Sequence, residues 1–316
     1  MRQIALSVQM SSIIVAGMIV STCSKSGSTS NQLSTQTIGA QVASGSNFTL
    51  LAAAVTKAGL VNTLKGAGPY TLFAPTDSAF MASGITMATI NSLSAGNLDT
   101  ILLYHLLPNK VDTSQLFEVP DATFFVTSGD SIFITKNANG VFVNGIKVLT
   151  ANIPASNGVI HIIGRVLIPS FGQNIVQKLA SDTSFSFLIA ALARATQGTI
   201  SGTSTLSQPI LMTLFAPTNT AFRAAGFPDT AAINAANSTS LFDTLLYHII
   251  SPRVFSSDFT NGETLETFIG GSVTISLSGN GATVKGNSNP AASNIITINM
   301  VATNGVIHVI DQVLLP

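Results

Sequence analysis

Four histidines are the side chains here best suited to move protons or bind metal near neutral pH. They fall at two repeated positions. His105 and His248 each follow a tyrosine, in Leu-Leu-Tyr-His, while His161 and His308 each close the string Asn-Gly-Val-Ile-His. A zinc-type centre needs three or four ligands, with imidazole joined by carboxylate or thiolate. Each copy offers two histidines, and the one cysteine, Cys23, lies outside both. No acid recurs beside them: Asp77 becomes Asn219, and aligning the Tyr-His pairs puts Asp99 opposite Phe242. No metal site follows. Nucleophilic catalysis needs Ser or Cys, His and an orienting acid, yet no Gly-x-Ser-x-Gly elbow and no glycine-rich phosphate loop occurs. The sequence assigns no catalytic residue and no cofactor, so the expectation is a protein that is not an enzyme. One active copy beside a decayed one stays open, because the comparison tests only chemistry that the copies share.

The histidines need another explanation. In Val159-Ile160-His161-Ile162-Ile163, strand alternation puts apolar residues on both faces. The strand is therefore buried on both sides, and His161, like His308, reads as a core strut bonded to backbone of neighbouring loops. The Tyr-His pairs carry two readings. Neighbours on a helix point about 100° apart, so one member of each pair can reach a partner at the surface. The flanking Leu102, Leu103, Leu106 and Leu107, then Leu245, Leu246, Ile249 and Ile250, argue for core instead. Tyr104, His105, Tyr247 and His248 stand as candidate partner contacts.

The elements that must position these residues are legible twice, at an offset of about 145 residues, far beyond any solenoid period. Phe48, Leu51, Ala52 and Val55, and Phe185, Leu188, Ile189 and Leu192, follow i, i+3, i+4, i+7 and predict an amphipathic helix. Next comes a short buried strand, Thr-Leu-Phe-Ala, stopped by Pro75 or Pro217. Thr76 and Thr218 are placed to cap a new helix, with Phe80 and Phe222 folding back as a staple. A further helix carries the Tyr-His pair and ends near Pro108 or Pro252. Hairpins follow over Ser131 to Gly145 and from Ser272 onward; a strand ending near Asn152 or Asn299 then leads into the Asn-Gly-Val-Ile-His segment. Helices first and strands later define an α+β class.

The 316 residues suit two domains. With 46% hydrophobic and only 8% charged residues, the chain departs from the usual quarter or so of charged residues and reads as secreted and strand-rich. The 13 basic and 13 acidic residues cancel, and no basic patch invites nucleic acid. Arg2 precedes a mostly apolar run, Ile4 to Val20, that fits a secretory signal. Val20-Ser21-Thr22-Cys23 resembles a bacterial lipobox, in which the cysteine takes lipid, although Thr22 stands where Gly or Ala is expected. Ordinary cleavage leaving a free thiol is the other reading. The Ser, Thr, Gly, Asn and Gln that follow make a flexible tether, which favours the anchor.

One local pattern is separate. Asp77-Ser78-Ala79, Asp99-Thr100-Ile101, Asp130-Ser131-Ile132, Asp229-Thr230-Ala231 and Asp243-Thr244-Leu245 share an Asp-Ser/Thr-apolar form. Such triplets start turns and helices; they also resemble an O-glycosylation acceptor of some Gram-negative bacteria.

The order Thr-Leu-Phe-Ala-Pro-Thr, Tyr-His, then Asn-Gly-Val-Ile-His closing on Leu-Ile-Pro or Leu-Leu-Pro closely resembles the fasciclin domain, twice. The resemblance implies α+β domains, each a β-sandwich or wedge of strands with several packed helices. It also implies a surface-tethered or extracellular setting, adhesion or matrix binding, and no general catalysis. In animal relatives a Tyr-His segment is linked to integrin binding, which is what marks the pairs above as contacts. The expected layout is a signal peptide over 1–22, lipidated Cys23 and tether over 23–40, and fasciclin-like domains over 41–169 and 170–316. The expected function is non-catalytic adhesion or binding at the cell envelope, to an envelope or matrix protein or a polysaccharide. Membrane contact would be through the lipid alone. The side of the outer membrane stays open. A carbohydrate-binding accessory of a polysaccharide uptake system and an envelope hydrolase are the alternatives. Sugar stacking would have to do without Trp and with only Tyr70, Tyr104 and Tyr247 besides phenylalanine.

Overall fold

The computed structural model describes residues 34–195, 206, 210–279 and 281–316. The expected signal segment and Cys23 lie outside the described residues. In the first copy the strands are β1 (Tyr70–Pro75), β2 (Leu106–Leu107), β3 (Ala122–Phe125), β4 (Ser131–Asn137), β5 (Gly140–Val143), β6 (Ile146–Ala155) and β7 (Gly158–Ile163). They form one seven-stranded sheet in the order β2-β1-β7-β6-β5-β4-β3. Only β1 and β7 run parallel. The second copy repeats this with β8 (Met212–Pro217), β9 (Ile249–Ile250), β10 (Thr264–Glu266), β11 (Ser272–Ser278), β12 (Gly281–Gly286), β13 (Ser293–Ala302) and β14 (Gly305–Ile310), and again one pair, β8 and β14, is parallel.

The sheet folds over on itself. Phe73 and Ile163 from one end share a core with Ile132, Ile134 and Val143 from the other, while Leu72, Ala74 and Ile160 face the helices through Leu51, Val55, Leu98 and Leu102. The fold is thus a wedge of strands with helices closing its open face, in the α+β class. Alternation along β1 and β7 sends successive side chains into these two cores, which is why both strands are largely apolar, with Thr71 and His161 as buried polar members.

Asp77 caps helix Thr49–Ala58 from a distance, accepting the Leu50 amide at 2.8 Å and the Thr49 hydroxyl at 2.7 Å. Asn219 does the same for Phe187 at 2.9 Å. The Asp-to-Asn change between copies therefore keeps an acceptor where helix amides need one. Thr76 and Thr218 do cap their helices, accepting from Ala79 at 3.3 Å and Ala221 at 3.2 Å.

Several boundaries differ from the sequence expectation. Pro75 and Pro217 are the last residues of β1 and β8, aligned with Ile163 and Ile310, and do not stop them short. The Tyr-His helices end at Leu103 and Tyr247, earlier than Pro108 and Pro252. There the backbone leaves the helix to form β2 and β9, which pair with β1 and β8. Asn152 and Asn299 do not end a strand: each adopts a left-handed φ, 60° and 61°, at an irregularity inside β6 or β13, and the strand runs on. The limit at residue 40 falls inside helix Ile38–Ser44, capped by Thr37 and with Ile38 and Val42 buried, so ordered packing starts ahead of the expected tether end.

Candidate functional site

The bonds of the four imidazoles fix their state. At the end of its helix, His105 has Nδ1 2.8 Å from the Ile101 carbonyl, and its Nε2 receives the Leu167 amide at 2.9 Å. His248 does likewise with Thr244 at 2.7 Å and Leu314 at 2.9 Å. A carbonyl only accepts and an amide only donates, so both rings carry their proton on Nδ1. His161 is reversed. Its Nδ1 receives the Asn152 amide at 3.1 Å and its Nε2 donates to Val111 at 2.9 Å. His308 follows with Asn299 at 3.4 Å and Val254 at 3.0 Å. Each domain therefore holds one Nδ1–H and one Nε2–H ring, with both nitrogens engaged. A second proton would set an N–H against a backbone N–H.

Burial pushes His105, His248 and His308 down to about 4, against the opposing pull of their carbonyl partners. His161 is also lowered by burial, with the Val111 carbonyl and Asp112 acting the other way. These rings hold irregular backbone that no ladder satisfies: the Asn152 and Asn299 irregularities, and the closing segments at Leu167 and Leu314. Buried backbone groups must find partners, and here imidazole supplies them. No group of three or more His, Cys, Asp or Glu is placed to hold a metal among the described residues.

The Tyr-His pairs correct an expectation. Tyr104, His105, Tyr247 and His248 are all buried and offer no surface to a partner. The Tyr104 hydroxyl donates to Ser131 at 2.9 Å and accepts from Asn144 at 2.9 Å; that of Tyr247 donates to Ser272 at 2.6 Å and accepts the Asn287 amide at 3.0 Å. Both tyrosines pin a hairpin to the helix behind it, so the large apolar neighbours mark core.

Three of the Asp-Ser/Thr-apolar triplets, at Asp77, Asp130 and Asp229, serve turns and helix starts, while those at Asp99 and Asp243 lie inside helices Ala95–Leu103 and Ser238–Tyr247. Asp229 caps its helix through Ala232 at 2.8 Å, Asp130 binds the Ser131 amide at 2.8 Å, and Thr100 and Thr244 return their hydroxyls to Gly96 and Ser240 at 3.1 and 2.8 Å.

Sequence reasoning missed Asn157 and Asn304. Asn157 accepts the Ile38 amide at 2.8 Å and donates to Leu64 and Gly66 at 3.0 and 2.7 Å. Asn304 accepts from Ile175 at 2.9 Å and donates to Leu206 at 2.6 Å. The glycine after each is required by close approach: a Cβ on Gly158 or Gly305 would strike the carbonyl of Tyr70 or Met212. It was also silent on the junction between copies. Arg253 Nε lies 3.2 Å from Asp121 Oδ2, with side chains only 5% and 16% exposed. The guanidinium sits 3.4 Å from the centroid of Phe133, which itself packs 5.9 Å from Phe255. Asn137 donates across to Ser257 at 3.1 Å. Burial raises Asp121, opposed by Arg253, and raises Asp258, to which Asp121 adds. The signal was a departure between copies: Arg253 and Phe255 align with Lys110 and Asp112.

The two most exposed large apolar side chains of the first copy, among the described residues, are phenylalanines. Phe117 is 83% and Phe125 71% exposed. Phe125 lies on β3, the free edge of its sheet, opposite Ser131; at the matching place on β10 the second copy has Glu266 opposite Ser272.

A repeated α+β wedge, each copy strutted by two buried histidines bonded to backbone, defines a modular class of domain. The fasciclin domain model matches residues 46–169 and 184–316, and the chain belongs to that family. It is 31% identical over 257 residues to transforming growth factor-beta-induced protein ig-h3 of Sus scrofa, covering 80% of this chain and 35% of that protein. The chain thus spans about a third of that relative's length. It is 31% identical over 112 residues to the cell surface glycolipoprotein MPB83 of Mycobacterium bovis, covering 35% of this chain and 48% of the other. A solved FAS1 domain pair from the insect cell adhesion molecule fasciclin I aligns with a TM-score of 0.41 and 18% identity, over 83% of this chain and 95% of that one.

Proposed function

We propose that the chain is a non-catalytic adhesion or binding protein of the cell envelope, presenting its two fasciclin domains from a lipid anchor at Cys23. The observation that carries this reading is the edge of the first domain. Phe125 stands in solvent on β3, which pairs with β4 on one side and is free on the other, and Phe117 stands in solvent ahead of that strand in the chain, where proteins otherwise place charge to prevent pairing. The second domain follows that habit with Glu266 and the first does not. Exposed aromatic groups on a free edge suit contact with a protein of the envelope or matrix. Engagement of every imidazole with backbone supports a role without catalysis. Likeness to a protein named as a cell surface glycolipoprotein supports the anchored location.

The test combines adhesion with location. Cells carrying Phe117→Ser/Phe125→Glu should bind an immobilised matrix or envelope extract less well than wild type, at equal surface level. Protease added to intact cells should remove both domains. Domains that survive until the outer membrane is broken rule out adhesion to outside partners, and Cys23→Ala that stays membrane-bound rules out the anchor.

A further inference from the structure

A second surface, with neither Phe117 nor Phe125 in its lining, is a cleft of about 750 Å³ between the two domains. That volume lies within the range of about 300–1,000 Å³ usual for small-ligand sites. We infer that this cleft binds a single-chain anionic amphiphile, a long-chain carboxylate or sulfate, with its hydrocarbon between the domains and its headgroup at a basic lip.

The walls are apolar where solvent-facing strands normally are not. Ile168 follows β7 on the first domain; Ile296 and Ile298 lie on β13 of the second. All three are exposed yet line one space. Phe185 and Val309 form part of the floor and are buried. Hydrocarbon placed here would cover these groups at a gain of roughly 25 cal/mol per Å² of apolar surface.

The lip supplies the charge. Lys147, Arg165 and Lys178 all line the cleft, and among the described residues none of them makes an ion pair. Lys147 and Arg165 are exposed, and neither has a side-chain hydrogen bond among the described residues. Lys178, half-buried, donates to the Pro169 carbonyl at 3.2 Å. The one carboxylate of the lining, Asp182, accepts the Ser184 amide at 2.8 Å as a local cap. Asp130 already acts on Lys178 from outside the lining, so Lys147 and Arg165, exposed and without an ion pair among the described residues, are the charges that favour an anionic headgroup. The sole aromatic ring of the lining, Phe185, is buried, so the cleft lacks the open platform on which sugars stack.

The site is preformed. Across the junction, Gly145 approaches the Asn299 carboxamide so closely that a Cβ would overlap it, and both residues line the cleft. A cavity fixed in shape before binding loses less entropy on taking a ligand.

The test uses the full chain and 11-(dansylamino)undecanoic acid, followed by fluorescence below its micelle concentration, with oleate and oleyl alcohol as competitors. Saturable binding of one probe per chain, displaced by oleate, is expected. Lys147→Glu/Arg165→Glu should weaken the probe and oleate by roughly tenfold while leaving oleyl alcohol within about twofold. Ile296→Asn/Ile298→Asn should weaken all three. These positions are exposed, and unchanged melting confirms that each variant folds. Phe117→Ser/Phe125→Glu should leave probe binding intact, which separates this site from the adhesive edge. Absence of saturable binding, or binding indifferent to both cleft variants, overturns the inference. So does a protein that takes the probe only when presented in phosphatidylglycerol vesicles, which would mean a membrane surface and not a closed cleft.

Discussion

Asn157 and Ile38 are joined across 119 residues by one buried hydrogen bond, 2.8 Å from the Ile38 amide to the Asn157 carboxamide. The same carboxamide holds Leu64 and Gly66, so one side chain in the β6–β7 turn gathers the start of the domain and the approach to β1. Asn157→Ala orphans three backbone groups, at about 1–3 kcal/mol for each that stays dry. The variant should lose roughly 2–4 kcal/mol in urea unfolding, and Asn304→Ala should behave alike. Loss below about 0.5 kcal/mol, the level of an ordinary surface change, would show that the clamp is incidental.

Gly145 tests the junction by volume. Its φ is 72°, and a side chain would meet Asn299. Gly84 has nearly the same φ, 71°, with open space around it. Gly84→Ala should cost only the left-handed strain, about 1–2 kcal/mol, whereas Gly145→Ala, whose Cβ already meets Asn299, should cost more and expose the junction to protease. Equal effects would mean that the domains yield easily.

Arg253 tests it by charge. Asp121→Ala leaves a guanidinium buried between Phe133 and Phe255 without its carboxylate, a costly state. Calorimetry should then resolve two transitions where the parent shows one. Asp121→Ala with a single, unshifted transition would contradict a coupled pair of domains.

The histidines give a pH signature. Their folded-state pKa values lie below the ordinary value of 6.5, so the unfolded chain takes protons first as pH falls. Stability should be flat above about pH 7 and fall between 6.5 and 4, by about 1.4 kcal/mol per pH unit for each fully neutral ring. Urea midpoints at pH 7, 6 and 5 measure this. A flat profile would place the imidazoles in water.

Much of this was legible in the sequence. Periodicity and caps located the amphipathic helices, Thr76 and Thr218, and the double apolar faces of β7 and β14 marked His161 and His308 as struts. What escaped depends on distant backbone. Nothing local in Asn157 says that its partner is Ile38, and nothing local in Asn152 says that the strand runs on past its left-handed residue, whose amide donates to a histidine nine residues on. The Tyr-His pairs were drawn toward the surface by the family resemblance, while their apolar flanks already indicated core. The junction was hidden because comparing the copies rewards sameness, and Arg253 and Phe255 act through a difference.

The central claim is that all four imidazoles are neutral, in fixed and alternating tautomers. Long-range proton–nitrogen correlation spectra of ¹⁵N-histidine-labelled protein, recorded from pH 7.5 to 5.5, test it most directly. His105 and His248 should show Nδ1–H rings and His161 and His308 Nε2–H rings, and the shifts of His105, His248 and His308, held down to about 4, should not move while the chain stays folded. Averaged tautomers, or a ring titrating near pH 6.5 in the folded protein, would contradict it and return the histidines to candidate chemistry.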